Sequence, residues 1–268
     1  MTGSADSGSC VLEARGLCVE AAGRRLVSDL DFSLHAGDFV CLLGPNGVGK
    51  TLSLHTLAGL RAPAAGRVSL LGRPLERLDR RQIARQLGLL LQHHEDAFPA
   101  TVLETALLGR HAHLGFLEWE RSADLALARA ALARVDLAGL EQRPAQQLSG
   151  GERRRLAVAT LMVQDPLILL LDEPLNHLDP AHRFLVLDTL AALAAEGRAI
   201  VASLHDPALA AHYASSVLLL YGDGRWQAGP AAELLTAERM SALYQTAFAS
   251  YRRGDEELLI PVPTRPAA

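Results

Sequence analysis

The spacing of hydrophobic and polar residues divides the chain into three kinds of segment. Residues 11–40 alternate over short stretches separated by turns, most clearly in 29–34, and predict an antiparallel sheet of short strands. From about 96 to 160 the chain becomes rich in Ala, Leu and Arg, and the pattern predicts helices over 101–109 and 123–135. Elsewhere, apolar runs alternate with helical patterns, which is typical of an α/β protein whose parallel sheet is covered on both faces.

The remaining predicted elements follow the same strand–helix alternation. Strands are predicted over 38–43, 66–72, 87–92, 166–171, 199–204 and 216–221. Helices are predicted over 52–60, 79–87, 181–196 and 207–214, with a helical tail from 231. Functional residues of an open α/β sheet lie at the carboxyl ends of its strands, so the polar residues that follow the apolar strands are the first candidates for a site.

A glycine-rich turn follows the strand 38–43 and opens the next helix. It comprises Gly44, Pro45, Asn46, Gly47, Val48, Gly49, Lys50 and Thr51. The glycines let the backbone curl so that its N–H groups point at an anion, and the helix N-terminus adds its dipole. In such a loop Lys50 reaches the β- and γ-phosphates and Thr51 offers a hydroxyl to Mg²⁺. The turn therefore predicts a nucleotide-phosphate site.

The composition singles out the lysine of this turn. The chain has 26 Lys and Arg residues together, and Lys50 is the one Lys among them. A compact ammonium on a flexible stem suits a phosphate cradle better than a planar guanidinium does. The lone lysine thus agrees with a phosphate site at the turn.

Charge and hydropathy exclude several classes of protein. The formal net charge of −4 does not favour a nucleic-acid binder, whose footprint would be basic. The sequence shows no secretory signal pattern and no uninterrupted apolar run of about 18 residues. We therefore expect a cytoplasmic chain that does not itself span a membrane.

Two carboxylates close the apolar run 166–171. Asp172 is expected to bind Mg²⁺, directly or through water, and Glu173 to position and polarise an attacking water. An apolar run followed by Asp-Glu also occurs where the carboxylates only begin a helix. The phosphate loop upstream favours the catalytic interpretation.

A third segment lies between these two sites and reads Leu148-Ser149-Gly150-Gly151-Glu152. A Ser hydroxyl and two glycine N–H groups at a helix N-terminus can bind an anion, although Ser-Gly-Gly is otherwise an ordinary helix cap. In this order and spacing the segment resembles the signature sequence of ATP-binding cassette (ABC) proteins, with Glu where Gln is commoner. The resemblance covers about 11–245. It implies an α/β P-loop NTPase (RecA-like) core with an N-terminal antiparallel β subdomain, an inserted α-helical subdomain at about 96–160, and a tail over 246–268.

The resemblance implies roles for further residues. Gln92 matches the Q-loop glutamine that contacts Mg²⁺ or the water, 176–179 match the D-loop that crosses to the partner subunit, and His205 matches the switch histidine that contacts the γ-phosphate. A lone His at a strand end is otherwise usually structural. The implied nucleotide-binding set is Gly44, Pro45, Asn46, Gly47, Val48, Gly49, Lys50, Thr51, Leu52, Ser149, Gly150, Gly151, Glu152 and Asp179. The implied catalytic set is Glu173, His205 and Gln92, and the implied Mg²⁺ ligands are Thr51, Gln92 and Asp172.

The chain carries half of the composite site that the family builds. In ABC proteins ATP lies between the phosphate loop of one subunit and the signature motif of another, so one loop and one signature imply a homodimer that closes on ATP. Two positions depart from the family pattern: Leu52 replaces a second hydroxyl residue of the loop, and Ala21 stands where an adenine-stacking aromatic is usual. Stacking is worth on the order of 1 kcal/mol, so we expect weaker nucleotide affinity without loss of hydrolysis.

A transport function requires separate membrane subunits. Residues 93–102 lie where cassettes form a groove for such subunits, and we expect His93 and His94 to be exposed groove residues, with a metal site as the alternative. Residues 98–102 and 107–115 resemble cassettes of importers for iron-siderophores, haem and cobalamin. The resemblance implies an ATP-hydrolysing import subunit at the inner face of the cell membrane. Its implied partners are permease subunits and a periplasmic or surface substrate-binding protein, and no nucleic acid.

Two alternatives differ in what the cassette drives. A cassette of an exporter, a lipoprotein-releasing system or another importer would differ only in its partners. A soluble cassette ATPase acting on DNA or ribosomes is the alternative from another class. Such proteins usually carry coiled-coil insertions, tandem cassettes or basic stretches, and the sequence shows none of these. In every case Trp226 and Tyr244 are expected to be packing residues.

Overall fold

Strands and helices alternate along the chain largely as its sequence pattern predicts. The computed structural model describes residues 9–92, 99–115, 118–253 and 256–262. The strands are β1 Cys10–Ala21, β2 Arg24–His35, β3 Phe39–Leu43, β4 Ala65–Leu70, β5 Arg73–Pro74, β6 Leu87–Leu90, β7 Ile168–Leu171, β8 Ala199–Ser203, β9 Ser216–Leu220, β10 Trp226–Pro230, β11 Phe248–Arg253 and β12 Glu256–Pro261. The α-helices are α1 Lys50–Leu57, α2 Arg80–Ala84, α3 Val102–Leu107, α4 Ser122–Arg134, α5 Gly150–Gln164, α6 Pro180–Ala195, α7 Pro207–Tyr213, α8 Ala231–Leu234 and α9 Ala237–Tyr244.

A six-stranded sheet forms the centre of the fold, in the order β10-β9-β3-β8-β7-β6. The pairs β9–β3, β3–β8, β8–β7 and β7–β6 are parallel, and β10 adds antiparallel to β9. The predicted parallel α/β core is thus confirmed. Because parallel strands end at the same edge, the carboxyl ends of β3, β6, β7 and β8 bring together the segments that follow them.

Alternate residues of the central strands enter two separate apolar layers. In β3, Phe39, Cys41 and Leu43 pack into one core cluster, while Val40 and Leu42 pack into the other. The first layer lies under α3 to α6, and the second under α1 and the inner faces of β1 and β2. Since β3 is buried on both faces, the loop that follows it starts from a rigid anchor.

The N-terminal sheet is antiparallel, in the order β2-β1-β4-β5, as predicted. The expectation of short strands over 11–40 is wrong for the first of them, because β1 runs without a break from Cys10 to Ala21. Its register against β2 shifts between Ala14 and Leu17, where Gly16 has a φ of 55°. Such bulges absorb an extra residue, so a strand can continue through a stretch that interrupts the alternation of its sequence.

The predicted all-helical tail is wrong beyond Tyr244. Gln245 adopts a left-handed conformation, with φ at 53°, and ends α9. The chain then forms the antiparallel pair β11–β12. Phe248 packs locally on Tyr244, with 5.7 Å between ring centroids. Leu259 is buried in the first apolar layer, so packing on residues distant in sequence contributes to this segment.

The two aromatic residues that are expected to pack do so. The indole N–H of Trp226 donates to the Ser28 carbonyl over 2.9 Å and joins β10 to β2. Tyr244 packs against the first apolar layer. In the described part of the chain, none of the helices has the length and apolar character needed to cross a membrane.

Candidate active site

The turn between β3 and α1 places its backbone N–H donors and the Lys50 ammonium at the carboxyl end of β3. Gly49, with φ at 103°, precedes α1, and no side chain of the described residues caps the helix start. The first N–H groups of α1 are therefore available to an anion. Lys50 is 5% exposed, and its ammonium donates to the carbonyl oxygens of Gly44 (2.7 Å) and Pro45 (3.0 Å). Burial lowers the pKa of Lys50, whereas the carboxylates of Glu173 and Asp172 oppose that change.

Asp172 lies directly behind this turn, fully buried at the end of β7. Its Oδ2 accepts a hydrogen bond from the Thr51 hydroxyl over 2.6 Å, and its Oδ1 accepts one from the Ser203 hydroxyl over 2.7 Å. A carboxylate beside a hydroxyl is a pair of hard oxygen ligands, which is the donor set that Mg²⁺ prefers. Two predicted Mg²⁺ ligands, far apart in sequence, are therefore in direct contact.

Glu173 is held by three polar side chains. Its Oε1 lies 2.8 Å from Nε2 of His205, and its Oε2 accepts from Gln92 over 2.9 Å and also from Asn176. Burial opposes its ionisation, but the hydrogen bonds from His205 and Asn176, together with the charge of the imidazole, outweigh burial and lower the pKa of Glu173. A carboxylate with fixed acceptors beside the phosphate loop can orient a water and take its proton. The predicted catalytic set is thus assembled in one place.

One pocket of about 540 Å³ joins these parts. Its lining residues are Ala21, Arg24, Leu26, Asn46, Gly47, Gly49, Lys50, Thr51, Leu52, Gln92, Glu173 and His205. Ala21 and Arg24 pair across the β1–β2 turn at one end of the pocket. The described lining contains no Phe, Tyr or Trp, so within it no aromatic ring replaces the one that the family pattern places at Ala21.

The signature segment lies outside this pocket. Ser149 and Glu152 form a reciprocal helix cap, in which the Glu152 N–H donates to the Ser149 hydroxyl (3.2 Å) and the Ser149 N–H to the Glu152 carboxylate (2.7 Å). The two signature glycines approach His177, and a Cβ built on Gly151 would lie 3.1 Å from the His177 carbonyl. Asp179 caps α6 and also lies away from the described lining. The signature motif and the D-loop therefore pack on each other within one chain.

Two buried residues of the site carry no motif and are missed by the sequence prediction. Ser203 joins the two carboxylate residues, since it donates to Asp172 and accepts from the N–H of Glu173 over 2.8 Å. Arg154 donates to backbone carbonyls around the same two residues. A polar residue ending an apolar strand was the one available signal for Ser203, and the sequence gives no comparable signal for Arg154. The predicted groove residues His93 and His94 lie outside the described residues.

Ser203→Ala is expected to destabilise the fold by about 1–3 kcal/mol, because it leaves a buried carboxylate oxygen and a buried N–H each without a partner. Urea unfolding, monitored by circular dichroism, measures the change in the free energy of unfolding. Ser53→Ala is the matched control: Ser53 is also fully buried, but its hydroxyl has no hydrogen-bond partner among the described residues. Removing that hydroxyl is expected to be neutral or stabilising. Equal losses of stability in the two variants would contradict the bridging role of Ser203.

The fold and the loop after β3 define the class of protein, a P-loop nucleoside triphosphatase. The sequence model of the family described as ABC transporter matches residues 27–176. This chain therefore belongs to the ABC transporter family. Members of the family hydrolyse ATP to power transport, so the chain is an ABC ATPase.

Two named relatives and one solved structure are similar to the chain over most of its length. The chain is 41% identical over 244 residues to the hemin import ATP-binding protein HmuV of Nocardia farcinica, covering 89% of this chain and 84% of that protein. It is 36% identical over 235 residues to the cobalamin import ATP-binding protein BtuD of Halobacterium salinarum, covering 87% and 58% respectively. A solved chain from a transporter assigned to the metal-chelate type, in an inward-facing conformation, superposes with a TM-score of 0.82 at 26% identity, covering 95% of this chain and 98% of the other.

Proposed function

We propose that the chain is the ATP-hydrolysing subunit of an importer for an iron chelate, such as a siderophore or haem, or for cobalamin. The observation that carries the proposal is the 41% identity to a hemin import ATP-binding protein over 89% of the chain. The likeness to a metal-chelate type transporter supports the same substrate class. The cassette would act at the inner face of the cell membrane, joined to separate permease subunits and served by a periplasmic or surface substrate-binding protein.

The hydrolytic step assigns one task to each group of the pocket. Backbone N–H groups of the turn and Lys50 bind the phosphates, and Glu173 orients the attacking water and accepts its proton. Gln92 and His205 hold the Glu173 carboxylate and would contact the γ-phosphate or the attacking water when ATP is bound. Mg²⁺, held by Thr51 and Asp172 with Gln92 nearby, would supply positive charge to the phosphate oxygens. The proton of the attacking water passes to the Glu173 carboxylate, and the lowered pKa of Glu173 keeps this group ionised, and so able to accept it, at neutral pH.

The position of the signature segment supports a pair of cassettes. Ser149 to Glu152 lie at the start of α5, outside the pocket that the same chain lines. The helix N-terminus and its two glycines are suited to bind phosphate oxygens of a nucleotide held by a second copy. ATP between two copies would hold them together, and hydrolysis would release them.

Copurification from solubilised membranes tests the transport proposal. We expect the tagged full-length chain to recover a polytopic membrane protein, and its ATPase activity to rise when that complex is reconstituted with its binding protein and haem, a ferric siderophore or cobalamin. Recovery of ribosomes or DNA in place of a membrane protein would contradict it. A membrane partner that responds to none of these three ligands would favour another importer or an exporter.

A further inference from the structure

Arg154 lies at the strand ends that carry Gln92 and Glu173, but it does not line the pocket. It lies in the first turns of α5, beyond the signature segment, and is 7% exposed. Its guanidinium donates through Nη1 to the Leu91 carbonyl (2.7 Å), and through Nη2 to the carbonyls of Glu173 (2.7 Å) and Asp172. All these acceptors directly follow β6 or β7, so the Arg154 side chain joins α5 to the ends of both strands.

The two carbonyls bound by Nη2 flank the Cα atom of Glu173. Glu173 adopts a left-handed conformation, with φ at 50°. This region is unfavourable for a residue with a side chain and persists where the surroundings determine it. Because φ and ψ are the rotations of the two peptide planes about that Cα, a donor that binds both carbonyls restrains how far these planes can turn. Arg154 therefore sets the direction in which the Glu173 side chain leaves the backbone.

The third carbonyl extends the same control to Gln92. Leu91 directly precedes Gln92, whose amide donates to the Glu173 carboxylate over 2.9 Å. The hydrogen bond to the Leu91 carbonyl therefore helps to position the backbone from which the Gln92 side chain extends. Burial lowers the pKa of Arg154 to about 10, and the carboxylates of Asp172 and Glu173 oppose that effect, so the guanidinium remains charged at neutral pH.

We propose that Arg154 is a positioning residue for hydrolysis. It holds Glu173 in its left-handed conformation and links the backbone at Gln92 and Glu173 to α5. The proposal rests on the proposed ATPase site. A guanidinium is suited to the task because its planar fork of donors can serve several carbonyls at once, whereas a Lys ammonium has a single centre.

The next residue in the chain is a matched control. Arg155 lies on the same helix, is 6% exposed, and also binds backbone carbonyls, those of Val135 (2.7 Å) and Asp136 (2.5 Å). These acceptors follow α4 and lie away from the pocket lining. Arg154 and Arg155 therefore share residue type, burial and bonds to backbone carbonyls, and differ in what they hold. Arg155 has one further contact, the Asp136 carboxylate 3.5 Å from its Nη1.

The test compares Arg154→Met with Arg155→Met in the purified full chain with MgATP. A small misplacement of a catalytic group can cost about 100-fold in rate, so Arg154→Met is expected to lower kcat by about 10- to 100-fold, with the KM for ATP within about threefold of wild type. Arg155→Met is expected to lower the melting temperature comparably while kcat stays within about threefold. Arg154→Lys, which keeps the charge and folds more readily, is expected to show the same split in milder form.

A double-variant cycle separates positioning from general stability. If Arg154 acts through Glu173, then Arg154→Met produces no further loss of single-turnover rate in a Glu173→Gln background. An additive loss there, an equal loss of kcat in Arg155→Met, or wild-type kcat in both Arg154 variants would overturn the proposal. Failure of the proposed function is a different result, namely a wild-type chain that does not hydrolyse ATP.

Discussion

Glu173→Gln is expected to lower ATP turnover on the order of 10³-fold, because general base catalysis contributes about 10²- to 10⁴-fold. The amide has nearly the shape of the carboxylate but cannot take a proton from water. Glu173 accepts hydrogen bonds at both oxygens, from His205 at Oε1 and from Gln92 at Oε2. The amide offers one acceptor in place of two, so one of these donors loses its partner. Phosphate release by the purified chain measures the effect.

Binding should survive in this variant, because the phosphate loop is untouched. We expect Glu173→Gln to retain MgATP and, in the proposed homodimer, to accumulate as an ATP-held pair, detectable by size-exclusion chromatography with light scattering. Glu196→Gln is the control, since Glu196 is exposed at the end of α6 and should leave turnover unchanged. Wild-type turnover in Glu173→Gln would refute Glu173 as the catalytic carboxylate.

Lys50→Met is expected to weaken ATP binding by about 10- to 100-fold, since a buried charge-assisted contact to phosphate is worth about 1.5–3 kcal/mol. Methionine keeps the aliphatic stem and removes the ammonium that lies at the carbonyls of Gly44 and Pro45. Titration calorimetry with MgATP measures the loss. Lys50→Arg should not restore affinity, because a planar guanidinium does not fit a space in which the native side chain is 5% exposed.

The control for this result is a cation outside the pocket. Arg77→Met removes an exposed charge from the turn after β5 and should leave ATP affinity unchanged. Comparable losses in both variants would show a general charge effect. Unchanged affinity in Lys50→Met would contradict the assignment of the phosphate site.

Motifs predicted the parts of the site whose chemistry requires particular residues in a fixed order. The phosphate loop, Asp172, Glu173, Gln92 and His205 each follow a strand of the central sheet. A parallel sheet places strand ends at one edge, so a correct strand assignment was enough to bring these residues together. The hydrophobic pattern predicted the α/β core and the N-terminal antiparallel sheet, and the structure confirms both.

Residues that act through the backbone could not be found in this way. Arg154 binds carbonyls that every residue possesses, so its partners leave no trace in the sequence, and Ser203 depends on the register of β8 against β7. The β11–β12 pair was missed because Leu259 is buried in the first apolar layer, among residues distant in sequence. Local periodicity reports neighbouring residues, and these features depend on distant ones.

The separation of the signature segment from the pocket of its own chain has a genetic consequence. In the proposed homodimer, Lys50 and Ser149 of one copy serve different nucleotides. A copy defective at Lys50, paired with a copy defective at Ser149, would collect both defects at one nucleotide and leave the other site complete. Two alleles that are each inactive alone would therefore complement in a mixed pair, whereas two alleles that both damage the phosphate loop would not.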